Sequence, residues 1–154
     1  MGKRKIMPYE SSQADKDTSA NIYISMMLSD AWQDLNDSAR VIYLYMKAQR
    51  FGQKDVKDND YMGESVTYGK DCFYFNRGLL KKFGKTDPTT CKKAIDNLIS
   101  HGFIELVHDG KRTRTNSIYK YSSNWKNWKI SQEELQKKND KRVVLKKNLE
   151  QKPK

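Results

Sequence analysis

The stretch KTDPTTCKKAIDNLISHGFIEL at residues 85–106 constrains the fold most, because it marks both ends of a helix and places a strand directly after it. Asp87 is a favourable N-cap residue, and Pro88 follows at the first helical position, where a missing N–H costs nothing. Gly102 can take the left-handed conformation that ends a helix. We therefore predict a helix from about Pro88 to His101, followed by a strand.

This predicted helix has an apolar side and a polar side. At about 100° per residue, the apolar side collects Cys91, Ala94, Ile95 and Leu98. The opposite side collects Thr89, Lys93, Asp96 and Ser100, flanked by Lys92 and Asn97. A polar side of this kind usually faces only solvent, so the neighbouring segments decide whether it binds a partner.

A second short helix precedes the first one. The segment RGLLKKF follows Asn76 as an N-cap and ends at Gly84, and its apolar residues are Leu79, Leu80 and Phe83. Two helices joined by a turn of three or four residues that includes a glycine form a helix-turn-helix unit.

The segments after the pair predict a β-hairpin with a basic tip. FIELVH and NSIYKYS are both strand-like, and Asp109-Gly110 between them is a hairpin signal. The tip, DGKRTRTN, carries Lys111, Arg112 and Arg114. CFYF at 72–75 predicts a further short strand ahead of the helix pair.

The rest of the chain predicts one domain with extensions at both ends. We interpret residues 1–20 as a mobile N-terminal arm, 21–128 as the domain, with a long loop at 53–71, and 129–154 as a basic C-terminal helix or tail. Within the domain, residues 22–24 predict an extended entry and Ser29–Leu35 a short helix. A central helix capped by Asn36 or Ser38 and ended by Gly52 follows, with an apolar set of Val41, Ile42, Leu44, Tyr45 and Ala48.

Two features of the C-terminal part bear on partners. NWKNWK at 124–129 alternates aromatic and basic residues, which is more typical of core packing than of a base-stacking platform. Ser131 and Glu134 have the spacing of a capping box, which predicts a helix to about Leu149. Its apolar residues form no clean stripe, so we expect this helix to be partly frayed in the free protein.

Positive charge is concentrated in the last 44 residues. The chain has a net charge of +11, but residues 1–110 hold 16 Lys/Arg against 15 Asp/Glu, a net of +1. Residues 111–154 hold 14 Lys/Arg against 4 Asp/Glu, a net of +10. This asymmetry indicates a polyanionic partner, either nucleic acid or an anionic membrane surface.

The sequence argues against an enzyme and against a metal or other cofactor. It contains no phosphate-binding glycine motif, no dinucleotide-binding motif and no H-E-x-x-H. His101 and His108 have no ligand cluster around them, and Cys72 and Cys91 show neither metal nor disulfide spacing. No apolar run is long enough to insert into a membrane, and no secretory signal is evident, so we expect a cytoplasmic protein.

The helix pair NRGLLKKFGKTDPTTCKKAIDNLISHGFIEL and the basic hairpin after it resemble the winged helix-turn-helix domain. The phrases LSDAWQDLNDSARVIYLYMKAQ and SIYKYSSNW are similar to sequences in replication-initiator and accessory proteins of Gram-positive plasmids and conjugative transposons. The resemblance covers about residues 21–128 and implies an α+β fold that binds double-stranded DNA. It implies a groove-reading face of Thr89, Thr90, Lys92, Lys93, Asp96 and Asn97, and a wing tip of Lys111, Arg112 and Arg114.

Several functions remain open at this point. The resemblance implies a sequence-specific DNA-binding protein that acts in plasmid replication initiation, as an accessory factor in conjugative transfer, or as a transcriptional repressor. Such a protein would partner with double-stranded DNA and with a second copy of itself or other proteins of the mobile element. The alternatives are a winged-helix protein-interaction module and a protein that binds single-stranded DNA or RNA through Trp125, Trp128 and the basic tail.

Overall fold

The structure, a computed structural model, describes residues 20–49, 57–59, 65–67, 71–75, 77–80, 84, 87–111 and 116–150, together with Tyr9 and Ser12. Its helices are α1 (Ile24–Met27), α2 (Asp30–Asp34), α3 (Asp37–Gln49), α4 (Arg77–Leu80), α5 (Pro88–Ser100) and α6 (Gln132–Glu150). Its strands are β1 (Lys57–Asn59), β2 (Ser65–Thr67), β3 (Cys72–Tyr74), β4 (Ile104–His108) and β5 (Ile118–Tyr121). A 3₁₀ turn spans Asn124–Asn127. The predicted α+β class is confirmed, whereas the predicted N-terminal arm lies almost wholly outside the described residues.

The two short N-terminal helices differ in how well the sequence predicted them. The extended entry expected at 22–24 is wrong in its last residue, because Ile24 begins α1. Helix α2 was predicted, and the Ser29 hydroxyl accepts from the Trp32 N–H at 3.2 Å as its N-cap. The Arg40 guanidinium donates to the Trp32 and Gln33 carbonyl oxygens, so the end of α2 is tied to α3.

Helix α3 is central to the core, but its buried side is not the predicted one. The Asn36 side chain accepts from the Ala39 N–H at 2.7 Å, so Asn36 rather than Ser38 caps the helix. The buried residues are Ala39, Ile42, Tyr43 and Met46, of which the predicted set contained only Ile42. Leu44 and Ala48 are exposed. The apolar residues of α3 occur on several sides, so their spacing does not single out the side of Tyr43 and Met46, and Tyr45 is only partly buried against the core.

The C-terminal half of the fold contains a three-stranded antiparallel sheet, in which the strand order is β3-β5-β4. Phe73 pairs with Tyr119, and Leu106 pairs with Tyr119 from the other side. The hairpin between β4 and β5 was predicted, but a bulge between Leu106 and His108 breaks the alternation of FIELVH. Leu106 and Val107 are both exposed.

The predicted loop at 53–71 contains regular structure. β1 and β2 pair antiparallel, with Asp58 opposite Val66, as a separate two-stranded sheet. The turn-rich composition of this segment suits the ends of such a hairpin as well as it suits a loop, and this is why the sequence did not distinguish them. Gly52 and the remaining residues of the predicted loop up to Lys70 lie outside the described residues.

An aromatic cluster joins the helices to the sheet. The Trp32, Tyr43 and Phe103 rings meet edge to face, with centroids 5.4–6.0 Å apart. The Tyr121 ring stacks on Phe73 at 4.3 Å. This geometry favours aromatic pairs beyond the area that they bury. The core therefore lies between α2, α3, α5 and the inner face of the sheet.

The C-terminal helix begins where its capping residues predict. The Ser131 hydroxyl accepts from the Glu134 N–H at 3.2 Å, which caps the first turn, and it donates to the Glu134 carboxylate at 3.1 Å. Helix α6 then runs without a break to Glu150. The partial fraying expected in the free protein stays a prediction.

Candidate nucleic-acid interface

Helix α5 has the boundaries that its sequence predicts. The Asp87 carboxylate accepts from the Thr90 N–H at 2.8 Å and from the Thr90 hydroxyl. These contacts lower the pKa of Asp87, with the hydroxyl bond as the largest cause and the nearby Lys93 as the smallest. Gly102 ends the helix with φ +76°. The helix therefore begins and ends at fixed places, and the orientation of its polar side is fixed with them.

The sides of α5 are also as predicted. Cys91, Ala94, Ile95 and Leu98 are buried against α3 and the sheet. Five of the six predicted groove-reading residues are exposed: Thr89, Thr90, Lys92, Lys93 and Asp96. Among the described residues Asp96 forms no ion pair with Lys92 or Lys93, so a charge pair within the helix does not occupy it. The Thr90 hydroxyl, by contrast, is used in the cap.

Asn97 differs from the other five residues. Its side chain is half-buried, and its Oδ1 accepts from the Asn36 N–H at 3.1 Å. Its Nδ2 lies 3.4 Å from His101 Nδ1. Both ends of the amide therefore lie against the protein, so the expectation that Asn97 points away from all packing is wrong. The reason is that α3 begins beside this turn of α5, which the helical wheel of α5 alone does not reveal.

A cleft of about 680 Å³ separates α5 from the β4–β5 hairpin. We call it the α5–hairpin cleft. Its floor includes the apolar side chains of Ile95, Ile99 and Leu106, and its rim includes Lys92, Asp96 and Lys111. The cleft brings α5 and the hairpin, two elements predicted to bind DNA, to one surface. Leu106 and Ile99 were not predicted as part of it, because FIELVH alone carries no clear signal that Leu106 is exposed.

The described part of the hairpin tip is held by side-chain contacts. The Lys111 N–H donates to Asp109 Oδ1 at 3.0 Å, and the Gly110 N–H donates to the Ser117 hydroxyl at 3.2 Å. The Lys111 side chain is exposed at the mouth of the cleft. Arg112 and Arg114, the other predicted tip residues, lie outside the described residues.

The two tryptophans of NWKNWK pack on the protein. The Trp125 ring stacks on Phe103 with an interplanar angle of 3°, and the Trp128 ring stacks on His101 with centroids 4.4 Å apart. Each ring is half-buried. One face of each ring is thus already occupied, as expected for core packing rather than for a platform that stacks bases.

His101 is buried, and both nitrogens of its ring lie close to oxygen atoms of the protein. Its Nε2 lies 2.8 Å from Asp34 Oδ2, and its Nδ1 lies 2.7 Å from the Asn97 carbonyl oxygen. Within the described ranges, no three His, Cys, Asp or Glu side chains come together as metal ligands could. No helix in that part of the chain is long and apolar enough to cross a membrane.

Comparison with known proteins identified no relative of this chain. No protein-family model, no curated protein and no solved structure matches this chain. The function must therefore be argued from the geometry of the cleft and from the charge of the chain.

Proposed function

We propose that this chain is a sequence-specific double-stranded DNA-binding protein of the winged helix-turn-helix type. In this proposal α5 lies in the major groove and the β4–β5 hairpin is the wing. The observation that carries the proposal is the α5–hairpin cleft, where Lys92 and Asp96 from the polar side of α5 and Lys111 from the hairpin line one surface.

The order of the elements supports the winged-helix assignment. Helix α3 precedes β3, the pair α4 and α5 follows it, and β4 and β5 then form the hairpin. β5 lies between β3 and β4, so the hairpin extends from a sheet that also fixes the start of the helix pair. Such a scaffold keeps the wing and the reading helix in a constant relation, which a protein that reads both groove and backbone requires.

The exposed side of α5 has the chemistry for reading base edges. An α-helix with its side chains is about 10–12 Å wide and fits a major groove about 12 Å wide. Lys93 can donate to the guanine acceptors, and the Asp96 carboxylate can accept from a cytosine amino group. Thr89 can contact a thymine methyl group. These three side chains are exposed, and none of them is needed for the core.

The surrounding charge suits the phosphate backbone. Lys92 and Lys111 lie on the rim of the cleft, and the sequence adds Arg112 and Arg114 at the hairpin tip. Phosphate contacts supply affinity and register, while base contacts supply specificity. This division suits an α5 that reads bases and a hairpin that binds phosphates. Replication initiation, accessory function in transfer and repression, the three roles that the sequence resemblance implies, all require this binding step.

The test is a selection followed by a titration. The purified chain selects duplexes from a random library, and its affinity is then measured for the selected duplex, a scrambled duplex, the single strand and the matching RNA at one salt concentration. We expect the selected duplex to bind at least about 10³-fold tighter than the scrambled one. Equal affinity for all duplexes, or tighter binding of the single strand or RNA, would contradict the proposal.

A further inference from the structure

Helix α6 is a long helix with no side chain buried in the described part. It has 19 residues, and every described side chain from Gln132 to Lys141 is exposed. A helix that is polar all round gains little from packing and is usually stabilised by ion pairs or by a partner. After Glu133 and Glu134 in the first turn, its sequence carries six Lys/Arg against Asp140 and Glu150. This charge is complementary to phosphate.

The body of the protein nevertheless holds α6 at one defined point. The Asp34 carboxylate at the end of α2 uses Oδ1 for the Lys138 ammonium and Oδ2 for His101 Nε2, the latter at 2.8 Å. Its side chain is only 18% exposed. The Lys138 side chain of this ion pair is 49% exposed, so salt screens the pair only in part.

The same carboxylate connects α6 to the end of α5. His101 is the C-cap residue of α5, and the Trp128 ring just before α6 stacks on it. Lys129 adds a second tie to α2, with its Nζ 3.1 Å from Asp30 Oδ2. The start of α6 therefore has a fixed position relative to α5, the helix that we propose reads DNA. A tail that bound phosphates without register would need no such connection.

We infer that α6 is a second DNA-binding element, which Asp34 holds in a fixed position relative to α5, and that it contacts the phosphate backbone beside the sequence that α5 reads. The inference rests on the proposed function. A membrane surface is a poorer partner, because a helix that lies on a membrane needs an apolar side, and the apolar residues in the sequence of α6 form no clean stripe. At 1.5 Å per residue, α6 is about 28 Å long and can follow roughly eight base pairs.

The experiment uses full-length variants, so that no truncated chain has to fold. A neutral-arm variant replaces the cations of α6 other than Lys138: Lys137→Gln, Lys141→Gln, Arg142→Gln, Lys146→Gln and Lys147→Gln. Asp34→Asn is then made both in the natural chain and in the neutral-arm variant. Affinity for the selected duplex, its salt dependence and hydroxyl-radical footprints are measured, with thermal unfolding as the check that each variant is folded.

Asp37→Asn is the matched control for Asp34→Asn. Asp37 pairs only locally with Arg40 and is 96% exposed, and its replacement changes the net charge by the same amount. Both variants remove a negative charge, which by itself favours DNA binding. A loss of affinity in Asp34→Asn alone must therefore come from the connection to His101 and α6.

We expect Asp34→Asn to weaken binding of the selected duplex about three- to tenfold, because a released arm loses effective concentration at its phosphates. The same substitution should have no effect in the neutral-arm variant. The neutral arm itself should flatten the slope of log K against log salt by about 0.9 for each lost phosphate contact. The footprint should lose a flanking segment on one side and keep the segment that α5 protects.

Three results would overturn the inference alone while selective duplex binding persists. Asp34→Asn could change the affinity for the selected duplex by no more than Asp37→Asn does. The loss of affinity caused by Asp34→Asn could persist in the neutral-arm variant. Finally, the neutral-arm variant could bind the selected duplex as tightly as the natural chain. The last result would assign the charge of α6 to RNA or protein. If the natural chain itself does not distinguish selected from scrambled duplex, the proposed function fails, and the inference fails with it.

Discussion

The Asn97 side chain accepts a hydrogen bond from the Asn36 backbone N–H at 3.1 Å, and this bond joins the last turn of α5 to the start of α3. The Asn36 side chain in turn caps α3 through the Ala39 N–H. The two asparagines therefore link the helix proposed to read DNA to the central helix of the core. Asn97, which the sequence resemblance places among the DNA-binding residues, therefore also makes a contact within the protein.

Asn97→Ala should therefore lower the stability of the free protein. Loss of one hydrogen bond of this kind costs about 0.5–1.5 kcal/mol, and the Asn36 N–H would then depend on solvent. Lys93→Ala, on the exposed side of the same helix, should leave the free energy of unfolding within about 0.5 kcal/mol of the natural value. Urea unfolding of both variants measures the difference. Equal stability of the two would show that the contact with Asn36 contributes nothing.

Gly102 should tolerate alanine less well than Gly84 does. Both have positive φ, at +76° and +72°, and a non-glycine residue in that region costs about 1–3 kcal/mol. A Cβ at Gly102 would also lie 2.7 Å from the Trp125 backbone nitrogen, whereas a Cβ at Gly84 would meet nothing within 4 Å. Gly102→Ala should consequently lose more stability than Gly84→Ala and displace the 3₁₀ turn. Thermal unfolding and the tryptophan fluorescence of the two variants test this, and identical losses would refute the close approach.

Tyr43 should make the fold sensitive to alkaline pH. Burial raises the pKa of Tyr43 to about 12, from an ordinary value of 10.0. A raised pKa means that the folded state favours the neutral form of Tyr43. The contribution of this preference to the free energy of unfolding is complete below pH 10 and is lost as the pH rises towards 12. The loss amounts to about 2–3 kcal/mol.

Tyr43→Phe is the control for this pH dependence, because phenylalanine has no group to ionise. The variant should lose less stability than the natural chain between pH 9 and pH 12, measured by urea unfolding at each pH. Parallel curves for the two proteins would show that Tyr43 ionisation does not contribute. All other side chains are the same in the two proteins, so the comparison isolates the contribution of Tyr43.

Much of α5 was predictable because its signals are local. Asp87, Pro88 and Gly102 set the ends of the helix by backbone chemistry that needs no tertiary context. Its buried side followed from the spacing of Cys91 and Leu98 with their neighbours, since one amphipathic pattern was clearly better than any other.

The failures concern properties that depend on more than one element. In α3, apolar residues occur on several sides, so the pattern could not show that Tyr43 and Met46 would be buried while Leu44 is not. The bulge in β4 arises in its pairing with β5 and leaves no mark in FIELVH. The contacts of Asp34 with His101 and Lys138 join residues 67 and 104 positions apart, which no local pattern can anticipate.

The most direct test of the central claim compares Lys93→Ala with Lys126→Ala on the selected and scrambled duplexes at one salt concentration. Both remove one exposed positive charge, but Lys93 lies on the polar side of α5, whereas Lys126 lies on the 3₁₀ turn. If α5 reads base edges, Lys93→Ala should lose about 1–3 kcal/mol on the selected duplex and much less on the scrambled one, and Lys126→Ala should affect both duplexes slightly and equally. Equal losses on the two duplexes for Lys93→Ala, or no loss at all, would contradict the account.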